Sequence, residues 1–240
     1  MKRLVVIFIF FIGSTSMTCN FVQAPDDILQ YLVREPLIKT LNPPLLLLLH
    51  GYGSNEKDLF ALSKQFPDDF LIISVRAPYT IGFNSYAWFD ITFSGGKPVS
   101  INKEQAEKSR ITLVQFIDQL KNKLTFDTSH VYLSGFSQGG IMSYCVGLTK
   151  PDKIKGIAVM SGRLPDEVKP IISQSEKLKQ LEIFVSHGIN DNVIGIQSAR
   201  ESVDWLRKEG LNPVYKEYPA GHSITPEMIL DLQLWFKDKE

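Results

Sequence analysis

Apolar positions along the chain fall into two kinds of run. The first kind is short and nearly unbroken. Leu45–Leu46–Leu47–Leu48–Leu49 carries no polar residue, and Phe70–Val75 carries only Ser74. A strand with apolar side chains pointing both ways is buried on both faces, as in a parallel sheet. Val131–Leu133, Ile154–Met160, Leu181–Ser186 and Pro213–Tyr218 read as further strands, and Asp27–Glu35 holds another with Ile28, Leu29, Tyr31, Leu32 and Val33. The second kind is periodic. Lys103–Lys123 places Ile111, Val114, Ile117 and Leu120 on one helical face, with Lys and Glu elsewhere. Ile196–Glu209 is amphipathic and stops at Gly210. Ile141–Leu148 reads as an apolar helix, and Pro226–Lys237 as the last helix with Pro226 in its first turn. A helix from about Asn55 to Gln65 can be capped by Ser54 or Asn55, and a helix-like segment lies near Gln174–Gln180. Arg76–Lys97 reads as a long loop region rich in aromatics and Gly.

Strands that alternate with helices, with no repeat and no linker between domains, predict one α/β domain. Its sheet is mostly parallel, and its site lies at the carboxyl ends of the strands. The length of 240 residues suits a single such domain with a full core. Lys+Arg and Asp+Glu both number 26, and no long run of one sign appears. That balance argues against a nucleic-acid partner, which needs a basic face.

The N-terminus departs from this pattern. Lys2 and Arg3 precede an unbroken apolar run, Leu4–Ile12, followed by Gly13–Ser14–Thr15–Ser16. The run is too short to span a bilayer and has the length of a secretory h-region. Val22–Gln23–Ala24 places small residues for cleavage before Pro25, so residues 1–24 are expected to be a signal peptide and 25–240 the domain. A second route is a lipoprotein cleaved before Cys19 and acylated on it. A third is an N-terminal strand of the domain. Cys145, the other cysteine, falls in an apolar helix and reads as a core residue; neither cysteine has a metal-ligand companion nearby.

Candidate chemistry centres on Gly135–Phe136–Ser137–Gln138–Gly139, which lies between a strand and a helix. In that setting Gly-x-Ser-x-Gly is a nucleophile elbow: a sharp turn that pushes Ser137 Oγ to the top of the sheet. A serine needs a base. In this topology the order along the chain is Ser, then acid, then His. His50 and His130 precede Ser137, and His187 leaves little chain for an acid before it. His222, in the loop between the final strand and the final helix, fits. For the acid, Asp191 follows a strand end. Asp204 falls mid-helix and Asp166 in a proline-flanked surface segment. Asp191 would accept the Nδ1–H of His222 and stabilise the imidazolium. The oxyanion hole needs two backbone donors: the N–H of Gln138, after the nucleophile, and the N–H of Tyr52, in the loop after the five leucines. Phe83, Tyr86, Trp88, Phe89 and Phe93 are close in sequence. They either wall an acyl pocket, with Trp88 and Phe89 as its substrate-binding residues, or pack their loop onto the core. Asp90 is expected to hold that loop by hydrogen bonds.

Five blocks occur in order: Leu49–His50–Gly51–Tyr52–Gly53–Ser54–Asn55–Glu56, Ala87–Trp88–Phe89–Asp90, Gly135–Phe136–Ser137–Gln138–Gly139–Gly140, His187–Gly188 through Asp191 to Val193, and Gly221–His222–Ser223–Ile224. Together they resemble the phospholipase/carboxylesterase family, which includes the acyl-protein thioesterases and small bacterial carboxylesterases. The resemblance spans residues 28–238. It implies the α/β-hydrolase fold, a Ser137–Asp191–His222 triad and an oxyanion hole from Tyr52 and Gln138. It also implies ester or thioester hydrolysis with no cofactor and no metal. One departure is Gly195, where many members carry a proline after the Asp block, which bears on the rigidity of that loop. The expected partners are a small-molecule ester, a membrane only through a lipid anchor at Cys19, and a second copy of the chain in a homodimer. The expected location is exported: periplasmic, secreted or lipid-anchored. Cytosolic thioesterases differ in that respect, so deacylation of proteins is not the expected role. The rivals are a dienelactone-hydrolase-like enzyme, which usually carries Cys where Ser137 stands, and an exported binding protein that kept the fold without the chemistry.

Overall fold

The leucine run is the centre of the sheet. The computed structural model describes residues 20–21, 27–94 and 97–237. In chain order the elements are β1 (Asn20–Phe21), β2 (Tyr31–Arg34), β3 (Leu45–Leu49), α1 (Glu56–Phe60), β4 (Leu71–Val75), β5 (Tyr79–Gly82), β6 (Ser85–Ala87), β7 (Ile91–Ser94) and β8 (Lys97–Ile101). They continue with α2 (Lys103–Lys123), β9 (Val131–Phe136), α3 (Gln138–Thr149), β10 (Gly156–Met160), β11 (Glu182–Gly188), α4 (Ile196–Lys208), β12 (Val214–Tyr218) and α5 (Pro226–Lys237). Among the described residues eight strands form one sheet, in the order β1-β2-β4-β3-β9-β10-β11-β12. From β4 to β12 neighbours run parallel; β2 joins β4, and β1 joins β2, antiparallel. This is the α/β-hydrolase arrangement, with the mostly parallel sheet that the alternation of elements predicts.

Side chains alternate across a strand, so β3 feeds both faces. Leu45, Leu47 and Leu49 pack into one core with Leu113, Phe116, Ile117 and Leu120 of α2, Met142 of α3, and Val203 and Leu206 of α4. Leu46 and Leu48 join a second core with Leu59 of α1 and with Ile229, Leu232, Trp235 and Phe236 of α5. Helices thus cover both faces, and all five leucines are fully buried. Cys145 lies in α3 as a buried free thiol, which burial pushes up to about 12.

Three expectations need correcting. The Arg76–Lys97 region is built of strands: β5 and β6 form one hairpin, and β7 begins a second that closes with β8. Asn84, at φ 49, sits in the two-residue turn of the first, where a left-handed residue matches strand twist. The buried face of α2 is Ser109, Leu113, Phe116, Ile117 and Leu120, while Ile111 is 43% exposed. Finally, the helix after Asn55 is one short turn, Glu56–Phe60, followed by a 3-10 turn at Ser63–Gln65. Asn55 caps it, accepting from the Lys57 N–H.

The residues that carry the export signature, Lys2–Ser16, Cys19 and Val22–Pro25, lie outside the described residues. β1 falls within the segment that cleavage before Pro25 would remove, and pairs Asn20 with Val33 and Phe21 with Leu32. Among the described residues no helix is long and apolar enough to cross a membrane.

Candidate active site

The turn from β9 into α3 is tight because two residues in it have no side chain. A Cβ on Gly135 would lie 2.2 Å from the backbone of Gly139, and one on Gly139 would lie 1.9 Å from the Leu49 carbonyl oxygen. Between them Ser137 adopts φ 54 and ψ −116, a setting that costs a non-glycine residue on the order of 1–3 kcal/mol. Surrounding hydrogen bonds hold it there. The Ser137 N–H donates to Met160 O at 2.8 Å, and the Ile141 N–H donates to Ser137 O at 3.0 Å.

His222 arrives from the loop between β12 and α5. Its Nε2 lies 2.9 Å from Ser137 Oγ, and its Nδ1 lies 2.7 Å from Asp191 Oδ2. The ring also rests against Phe136, 5.0 Å between centroids. The loop reaches this place because Gly188, at the end of β11, lets it pass. A Cβ there would lie 2.3 Å from Gly221 O and 2.4 Å from Ala220 O. Asp191 is fixed by its own turn: Oδ1 accepts from Val193 N–H at 2.8 Å and Ile194 N–H at 2.9 Å. Behind it, His187 is fully buried, with Nε2 2.7 Å from Ile194 O and 3.3 Å from Asp191 Oδ2.

These contacts dictate proton positions. A carboxylate only accepts, so His222 Nδ1 carries hydrogen, and Nε2 is left with the lone pair that faces the Ser137 hydroxyl. That is the arrangement in which an imidazole can take a proton from a serine. The structure therefore brings Ser137, His222 and Asp191, spread over 85 residues of sequence, into one hydrogen-bonded line.

The expected oxyanion donors flank Ser137. A Cβ on Gly51 would lie 3.4 Å from Ser137 Cβ, so the Gly51–Tyr52 peptide borders Ser137. Gln138 opens α3 directly after it. Among the described residues neither the Tyr52 nor the Gln138 N–H donates to a protein acceptor. His50, before Gly51, is fully buried, and burial lowers its pKa below the ordinary histidine value.

Trp88 and Phe89 part company: Trp88 packs into the core, whereas Phe89 lines a small apolar cavity with Ile141, Cys145 and Val168. Trp88 is 0% exposed and Phe89 is 1% exposed. An indole N–H buried so deeply needs an acceptor. It finds His50 O at 2.9 Å, which ties the segment beneath the oxyanion loop. For Trp88 the packing alternative is the one observed. The loop of both aromatics is held further by Gln138, whose side chain accepts from Trp88 N–H at 2.8 Å and donates to Phe89 O at 2.7 Å. Ser109 Oγ donates to Trp88 O at 2.5 Å. Asp90 binds the Gln105 amide through both its N–H and its carboxylate, in keeping with a loop-holding role. Of the remaining aromatics, Phe83 is 96% exposed, and the ring of Phe93 lies tilted against Tyr52 with centroids 5.9 Å apart. The side chain of Gln138 and the buried His50 and His187 hold the loops around Ser137, a place that sequence reading, which weighed the two histidines only as bases, did not assign them. Their short hydrogen bonds go to backbone atoms, which leave no pattern in a sequence.

The family described as Phospholipase/Carboxylesterase matches residues 39–237 of the chain. The probable carboxylesterase SOBER1-like of Arabidopsis thaliana is 30% identical over 208 residues, covering 81% of this chain and 78% of that one. Acyl-protein thioesterase 1 of Gibberella zeae is 28% identical over 203 residues, covering 78% of this chain and 84% of that one. Among solved structures, the carboxylesterase of Bacillus cereus superposes with a TM-score of 0.78 at 20% identity, covering 90% of this chain and 96% of its own, a likeness of fold.

Proposed function

Because the chain belongs to the phospholipase/carboxylesterase family, we propose that it hydrolyses carboxylic esters or thioesters of small molecules through Ser137, His222 and Asp191, by way of an acyl-enzyme. Membership makes it a carboxylic ester hydrolase; the division of labour among the residues is the reading that follows. Ser137 Oγ attacks the acyl carbon while His222 Nε2 takes its proton. Asp191 supports the imidazolium. The oxyanion is held by the N–H groups of Tyr52 and Gln138, and its collapse expels the alcohol or thiol, protonated by His222. Water, deprotonated by His222, then frees the acid and restores Ser137.

One observation carries this reading: the line Ser137 Oγ to His222 Nε2 at 2.9 Å and His222 Nδ1 to Asp191 Oδ2 at 2.7 Å, on a serine held at positive φ. A fluorophosphonate probe tests it. We expect covalent labelling on Ser137 and none in Ser137→Ala. A Ser137→Ala protein that hydrolyses nitrophenyl esters at the parent rate would overturn the reading, and an unlabelled parent would favour a binding protein. Nitrophenyl esters of rising acyl length report the preferred acyl group. Export is also proposed, on the charged and apolar pattern of residues 2–24. Cleavage before Pro25 removes β1, and cleavage before Cys19 with acylation keeps it, so the mass of the mature protein tells them apart.

A further inference from the structure

His50 takes no part in the steps above, yet it sits against the machinery. Its imidazole is fully buried at the end of β3. Nδ1 lies 2.7 Å from the carbonyl oxygen of Gly51, and Nε2 lies 3.0 Å from the backbone nitrogen of Ala77, just beyond β4. A backbone N–H can only donate, so Nε2 is a bare acceptor. Nδ1 therefore carries the hydrogen and donates to Gly51 O. The ring spans from the end of β4 to one carbonyl of the oxyanion loop.

That carbonyl matters because of what shares its plane. In a trans peptide unit the C=O and the following N–H point in opposite directions. Gly51 O and the Tyr52 N–H belong to one unit, so fastening the oxygen aims the hydrogen. The unit borders Ser137, as the 3.4 Å approach of a Gly51 Cβ to Ser137 Cβ shows. The other bond to Gly51 O comes from Ser54 N–H at 3.3 Å, within the same loop, and does not tie it to the sheet. The backbone of His50 is itself pinned by the Trp88 indole at 2.9 Å.

We propose that His50 is a positioning residue that aims the Tyr52 N–H at the oxyanion by fastening the Gly51 carbonyl. This rests on the hydrolytic reading given above. Two isosteric substitutions separate the two ring nitrogens. In His50→Asn the amide nitrogen stands where Nδ1 stood and keeps the bond to Gly51 O. In His50→Gln the amide oxygen stands where Nε2 stood and keeps the bond to Ala77, but loses Gly51. A lost oxyanion donor costs turnover rather than ground-state binding. His50→Gln is expected to lower kcat by about 10²–10³ with KM little changed, and His50→Asn to stay within about tenfold of the parent. Rates are counted per site titrated with a fluorophosphonate, so that misfolded protein does not enter. Equal losses in the two variants, or parent kcat in His50→Gln, would overturn the proposal. Imidazole ¹⁵N shifts of the unaltered protein give a reading that needs no variant: a hydrogen on Nδ1 is expected, and one on Nε2 alone would overturn it. A parent protein that neither labels nor hydrolyses esters would instead sink the hydrolytic reading itself.

Discussion

Asp191→Asn alters a single atom and is expected to remove nearly all turnover. Asp191 Oδ1 accepts two backbone hydrogen bonds, from Val193 at 2.8 Å and Ile194 at 2.9 Å, while Oδ2 accepts one from His222 Nδ1 at 2.7 Å. An amide has one oxygen to share between these places. If its NH₂ faced the turn, two backbone donors would go unpaired, at a cost on the order of 2–6 kcal/mol together. The oxygen therefore stays at the turn and the NH₂ faces His222. Only a bare Nδ1 accepts it, so the ring proton moves to Nε2. That nitrogen then faces Ser137 Oγ at 2.9 Å with a hydrogen of its own and cannot take another. A wrong tautomer in this role costs about 10⁴ in kcat. That is about 5 kcal/mol of barrier. Both turn bonds survive, so the stability loss is confined to the 3.3 Å approach of His187 Nε2 to Oδ2, where the new NH₂ meets another donor. Asp191→Ala, which loses both turn bonds, is expected to unfold at a lower temperature. The assay is kcat on a nitrophenyl ester beside a thermal melt. An Asp191→Asn protein that melts like the parent and keeps more than about a tenth of its kcat would refute the assignment of Asp191.

Further substitutions probe the scaffold. Gly188→Ala places a Cβ 2.3 Å from Gly221 O, so it is expected to cost about 1–3 kcal/mol or more by denaturant titration. What folds should lose kcat, because the displaced loop carries His222; parent values in both measurements would count against this. Trp88→Phe strips His50 O of its partner at 2.9 Å, and is expected to lower stability by about 1–3 kcal/mol without moving the acyl-length optimum. A shifted optimum would restore Trp88 as a pocket wall. Glu56, fully buried, is bound by Arg76 through two hydrogen bonds of 2.6 Å. Burial pushes its pKa up, and the bonds from Arg76 more than offset that, so the carboxyl ends below its ordinary 4.5. A lowered pKa stabilises the fold above the unfolded value and loses that contribution as pH falls through the folded value. Glu56→Gln is therefore expected to be less stable than the parent at neutral pH, with the gap closing below pH 4.5. A gap that widens in acid would contradict it.

How much of this is readable from residues alone depends on what each feature touches. The sheet is legible because β3 is apolar on both faces, and only a strand covered on both sides accepts five leucines. Ser137, His222 and Asp191 are legible because their chemistry is carried by side-chain types, and strand ends fix their order. The face of α2 is misread by a partial turn: a three-residue spacing from Ile111 drifts off the stripe that Leu113, Phe116 and Leu120 occupy. The two hairpins escape because their strands are short and mostly half-buried or exposed instead of running apolar: Tyr79–Gly82 alternates between the two, and Ile91–Ser94 is exposed at three of its four positions. Trp88 looks like a pocket aromatic until its indole N–H is seen to end on a backbone oxygen.

Two of the three histidines that chain order excludes as bases, His50 and His187, share a design that side-chain chemistry alone does not announce. His50–Gly51 and His187–Gly188 each stand at the end of a parallel strand, β3 and β11. In each pair the imidazole is buried and bonds a backbone carbonyl of its own loop, Gly51 O at 2.7 Å and Ile194 O at 2.7 Å. In each pair the glycine faces the neighbouring loop at close range, Ser137 in one case and Gly221 in the other. The histidine fastens its loop inward while the missing Cβ admits the next one. The proposed oxyanion donor, nucleophile, acid and base come from four different strand ends, and an error of about 1 Å among such groups costs on the order of 10² in rate. Loops cannot hold such tolerances by their own composition. Braces that run from buried rings to loop carbonyls can, and they give His50 and His187 a reason to be buried that is separate from the proton transfer proposed for His222.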